Sequence, residues 1–145
     1  MNKALCILLL SGSLLFGQAG LIQEEQDFRF AEQLSTKGMQ DLAGLQYVKY
    51  AETYPSSPRA PEALFRAAES YRLLKDTAQS ASLYQQLLLK YPQSVFVDKA
   101  LFNRAAILMA NGEYLEAALS FERLRLFTPK SEWAPLAMIR AAQAF

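Results

Sequence analysis

From residue 60 onward the apolar positions fall on one side of a helix. Ala63, Leu64, Ala67, Ala68, Tyr71 and Leu74 follow the i, i+3, i+4, i+7 spacing of an amphipathic stripe. A second stripe runs Ala78, Ala81, Tyr84, Leu87, Leu88 and Tyr91. The pair of stripes returns as Val97, Ala100, Leu101, Ala105, Leu108 and as Tyr114, Ala117, Ala118, Phe121, Leu124. No alternating β-branched run interrupts them, and no hairpin dipeptide joins such runs. The pattern predicts an all-α chain, with seven helices near residues 22–37, 40–54, 60–74, 77–90, 95–111, 113–127 and 132–145.

The residues that punctuate these helices repeat. Pro55, Pro92 and Pro129 lie 37 residues apart and close the similar segments YAETYP, LLLKYP and LRLFTP. Proline disfavours a helical residue ahead of it, so each second helix must end there. Ser57, Ser94 and Ser131 follow at one offset, where an N-cap for the next helix is expected. Ala63-Leu64-Phe65, Ala100-Leu101-Phe102 and Ala137-Met138-Ile139 come next, and Pro61 and Pro135 share a register two periods apart. Lys37-Gly38, Lys75-Asp76 and Asn111-Gly112 mark the turn inside each pair, where glycine accepts the left-handed conformation that closes a helix. Glu24, Glu25 and Asp27 sit at the expected start of the first helix, a place that favours negative charge. Each period therefore reads as two antiparallel helices.

Small residues occupy matched places in these pairs: Ala31, Ala68 and Ala105 in the first helix, Ala43, Ser80 and Ala117 in the second. Gly38 and Gly112 hold the turn, with Lys75 as the exception, and Tyr47, Tyr84 and Phe121 follow the second small residue by four positions. Over residues 24–145 this set resembles the tetratricopeptide (TPR) repeat. The resemblance implies a right-handed α-α superhelix, a solenoid of antiparallel helix pairs. The period of 37 exceeds the usual ~34, and the extra residues fall in the linker after each proline. Tyr-Pro followed by serine and then Ala63-Leu64 or Ala100-Leu101 is similar to a bacterial envelope branch of TPR proteins. That branch includes the TPR lipoprotein of the outer-membrane β-barrel assembly machinery (BamD-like) and the periplasmic TPR protein of the Tol-Pal region (YbgF-like).

In the family, the first helix of each unit lines a concave groove that binds peptides. The family's groove register falls on Phe28, Glu32 and Ser35 in unit one, Phe65, Glu69 and Arg72 in unit two, and Phe102, Ala106 and Met109 in unit three, with Ile139 and Gln143 continuing the row. The resemblance thus implies an aromatic and aliphatic strip with few charges. Packing between neighbouring units is the alternative role for Phe65 and Phe102. The Lys/Asn clamp that some TPR domains use for a C-terminal carboxylate is unmatched, because phenylalanine stands where its lysine would be sought.

The first residues are a separate object. Met1-Asn2-Lys3 is positive, Ala4 to Phe16 is almost wholly apolar, and Gly17-Gln18-Ala19-Gly20 is small. This is the pattern of a secretory signal peptide over residues 1–19, cleaved near Ala19, with residues 20–145 as the TPR domain. An uncleaved N-terminal membrane anchor is the alternative, although a bilayer span needs ~20 apolar residues. Cys6 lies inside the apolar run, which departs from a lipoprotein signal.

Composition narrows the chemistry. Hydrophobic residues make up 52% and charged residues 20%, so the chain is not of a disordered type. Fifteen Lys+Arg against 14 Asp+Glu leave a net charge of +1, no footprint for nucleic acid. The absence of histidine removes the usual general base and metal ligand. A single cysteine excludes an intrachain disulfide or a Cys-rich zinc site, and there is no glycine-rich phosphate loop. The expectation is a non-catalytic periplasmic scaffold or adaptor without metal or cofactor. It would bind a protein or peptide partner, and through that partner associate with the outer membrane. Residues 132–145 match the first helix of a fourth unit, so a continuation beyond Phe145 is expected. The competing expectation is that the chain forms the helical arm of a larger cell-envelope enzyme, for example one acting on peptidoglycan.

Overall fold

The computed structural model describes the backbone of residues 3–144 and the side chains of residues 19–126 and 128–143. Seven helices follow one another: α1 (Lys3–Thr36), α2 (Gln40–Thr53), α3 (Ala60–Leu73), α4 (Thr77–Lys90), α5 (Val97–Ala110), α6 (Tyr114–Phe127) and α7 (Ala134–Ala144). The predicted pairs are all present, and most ends fall within two residues of expectation.

The ends have local causes. Tyr54, Tyr91 and Thr128 leave the helix with φ between −123° and −132°, the extended backbone that a following proline imposes. Gly38 and Gly112 close α1 and α5 at φ 77° and 82°. Lys75 takes the same left-handed conformation at φ 63°, against its side chain's preference. The next residue helps to hold that turn: the Asp76 carboxylate accepts the Gln79 N–H at 3.0 Å and caps α4.

Two expectations are corrected. Ser57, Ser94 and Ser131 are not N-caps. Their hydroxyls accept the N–H groups of Arg59, Phe96 and Trp133 at 3.1–3.2 Å. Their carbonyls accept those of Ala60, Val97 and Ala134. Each serine therefore builds a tight turn that ends where the helix begins, which is why α5 and α7 start two residues later than predicted. Nor does the first helix start at residue 22. It runs unbroken from Lys3, so Glu24, Glu25 and Asp27 lie within α1 rather than at its start. They act sideways instead. Glu24 accepts from the Tyr50 hydroxyl at 2.9 Å and from Ser57 at 2.6 Å, and Asp27 accepts from Tyr54 at 2.7 Å. Glu25 pairs with Arg29 at 2.7 Å and with Arg59 at 2.8 Å. The side chains of the expected signal segment, residues 3–18, lie outside the described residues.

Each helix packs against its neighbours in sequence, α1 on α2, α2 on α3, and so on to α6 on α7. The matched small residues make this close approach feasible: Ala31, Ala43, Ala68, Ser80, Ala105 and Ala117 are fully buried. Gly44 adds a tighter contact, since a Cβ there would stand 2.9 Å from the Tyr71 ring of α3. Tyr47, Tyr84 and Phe121 fill the space between paired helices.

Candidate protein-binding groove

The first helices of the pairs are α1, α3, α5 and α7, and one recurring contact links the first three of them. Glu32 of α1 meets Arg66 of α3 at 3.3 Å, and Glu69 of α3 accepts from the Asn103 amide of α5 at 3.0 Å. Both links join residues 34 apart. The next such pair is Ala106 of α5 and Arg140 of α7, which carries no acid.

Glu69 is held from several sides. It accepts from Asn103, from the Tyr84 hydroxyl and from Arg72, whose Nη2 lies 2.7 Å away. Burial alone would raise its pKa, but the hydrogen bonds from Arg72, Tyr84 and Asn103 outweigh it and hold the carboxyl below its ordinary value. Tyr84 moves the other way, pushed up first by burial and then by its hydrogen bond to Glu69 and the Glu69 charge. Arg66 is also engaged, by Glu62 at 2.7 Å as well as by Glu32. These groups knit one unit to the next, so Glu69 and Arg72 do not face a partner unpaired.

The expected strip is corrected in detail. Phe28 cannot touch a partner, because it is fully buried. Its ring meets Tyr47 and Tyr50 edge-on at 5.6 and 5.1 Å, and the Arg59 guanidinium lies 3.7 Å over its centre. Phe65 stacks on Phe96 of the following linker at 5.2 Å. Phe102 leans on Phe121 at 5.6 Å and on Trp133 at 4.9 Å. Both rings therefore serve inter-unit packing. Phe102 has a second role, as one wall of a cavity of about 410 Å³ lined also by Ala106, Met109, Ala110, Phe121 and Arg140. Ile139 is exposed on α7 and does not line it. Glu32 and Ser35 line a different cavity of about 400 Å³ with Arg29, Gln33, Thr36 and Arg66. The row thus divides into a polar part between α1 and α3 and an apolar part between α5 and α7.

The residues that sequence reasoning missed are Arg29, Arg66, Asn103 and Arg140. They repeat at 37 residues, a signal that was present but lay outside the apolar stripes. Among the described residues no group of His, Cys, Asp and Glu could hold a metal ion. The arrangement offers recognition by shape and charge.

Residues 62–94, nearly one full period from α3 through the Ser94 turn, match the tetratricopeptide repeat family. No curated protein matches the chain. Among solved structures, the chain is similar to the first TPR of Spaghetti (RPAP3) bound to the HSP90 peptide SRMEEVD. Identity is 21%, the TM-score is 0.66, and the match covers 83% of this chain and 91% of that one. The chain carries a tetratricopeptide repeat, and its fold is the all-α helical solenoid built from such repeats.

Proposed function

We propose that the chain is a non-catalytic scaffold that binds a protein or peptide partner on the face formed by α1, α3, α5 and α7. The apolar cavity beside Met109 carries this reading, since it is a recess on that face large enough for a partner's side chain. TPR solenoids are in general interaction modules, and the similar solved TPR domain is bound to a peptide. The leader-like residues 1–19 support export with cleavage near Ala19. The Tyr-Pro-serine pattern supports a place in bacterial envelope assembly, with the outer membrane reached through the partner.

The test uses the mature chain as bait in periplasmic extract of the native host, beside two variants. Ala106→Trp fills the cavity from an exposed position, and Glu116→Lys changes an exposed charge on α6. Ala106→Trp is expected to weaken capture of the partner about tenfold, the effect of losing a central apolar anchor. Glu116→Lys should leave capture unchanged. Equal capture by all three proteins would reject this face. Mass spectrometry of the mature N-terminus decides the export reading, and a full-length mass in the membrane pellet would sink it.

A further inference from the structure

The repeated contact between first helices is incomplete at its third step. In the first two steps a glutamate of one unit meets a cation or amide of the next: Glu32 with Arg66, Glu69 with Asn103. In the third step Ala106 stands at the glutamate's register and Arg140 at that of Arg66. Ala106 ends at its Cβ, is exposed, and lines the cavity that Arg140 borders. Among the described residues, Arg140 has no carboxylate within 4.0 Å; its side-chain contact is with Gln143 Oε1 at 3.2 Å. The other walls are Phe102, Met109, Ala110 and Phe121, all apolar. A guanidinium is thus set at the edge of an apolar recess, where the chain's own repeat would place an acid and does not. The complementary ligand carries a carboxylate beside a large apolar group.

We propose that this recess takes an Asp or Glu side chain of a partner peptide together with a large apolar neighbour. The partner's carboxylate completes the third step with Arg140, and the apolar side chain fills the cavity against Met109 and Phe121. This inference rests on the reading of the first-helix face as the partner site. It adds the chemistry by which that site selects: an acid next to leucine, methionine or phenylalanine, at the α5–α7 end rather than along the whole row.

The experiment screens the full chain against a heptapeptide library, acetylated and amidated so that only side chains carry charge. Ala106→Glu supplies from within the acid that units one and two already have. Ala106→Gln has the same size without the charge, and Arg140→Gln removes the cation. Wild type is expected to enrich Asp or Glu beside a large apolar residue. Ala106→Glu and Arg140→Gln should each bind the best acidic peptide about tenfold more weakly, the effect of one charge-assisted hydrogen bond. Its Asn or Gln counterpart should bind the wild type and both variants alike, and Ala106→Gln should keep the acid preference. Selection of apolar peptides without an acid preference would overturn this inference and leave the partner face standing. So would a preference that survives in Ala106→Glu or Arg140→Gln, or enrichment confined to a parallel library with free C-termini. No enrichment at all by wild type would overturn both readings.

Discussion

Tyr50 shows how much a single hydroxyl can join. It donates to Glu24 of α1 and meets Ser57, the serine that shapes the entry to α3, both at 2.9 Å. Burial, with the Glu24 hydrogen bond and charge behind it, pushes the phenol up to about 12. The neutral phenol is therefore favoured in the folded state. Its contribution to stability is complete below the ordinary tyrosine value of 10.0 and is lost as pH rises through about 12. Thermal melts from pH 9 to 12 should show a falling Tm above about pH 10, and Tyr50→Phe should flatten that fall. An unchanged alkaline slope in the variant would show that other groups set it. Little of this was legible in sequence. Glu24, Glu25 and Asp27 read as a helix-start cluster because the first helix is expected to open at residue 22, after a signal segment ending at residue 19. Their partners Tyr50, Tyr54 and Arg59 are remote in sequence and follow no period, whereas the Glu24–Ser57 pair recurs two periods on as Asp98–Ser131.

Helices were the most legible level, because two independent signals agreed on them. Apolar stripes gave the faces, and proline with glycine gave the ends. The offset at α5 and α7 arose where the signal was ambiguous, since a serine ahead of a helix can cap it or build the turn before it. The small crossing residues were readable too, and their burial sets a clear expectation. Ala68 and Ala105 are fully buried where helices cross, so Ala68→Leu and Ala105→Leu should each cost about 1–3 kcal/mol. Denaturant titration of the two variants checks this. Midpoints equal to that of wild type would mean that neighbouring helices can part without penalty.

At the scale of the molecule, contacts run from each helix to the next in sequence, so stability should be local and graded. Amide exchange is expected to be slowest in α2 to α6, each of which packs against a helix on either side, and to vary from helix to helix. Uniform protection across all helices would point instead to a single cooperative unit. The solenoid itself was legible from the 37-residue period. The partition of its binding face was not, because it depends on which polar side chains satisfy one another across units. The ladder of contacts between first helices also has a mechanical meaning. A stack joined only to its neighbours bends like a coil spring, and side-chain ties along one face act as stays that stiffen each step. Glu32–Arg66 and Glu69–Asn103 brace the first two steps, whereas the third has no stay at Ala106 and Arg140 and is held at its entry, by Ser131 on Asp98 at 2.7 Å and Trp133 on Phe102 at 4.9 Å. On that face the α5–α7 step is left unbraced, and a guest that supplied the missing acid would act as the third stay.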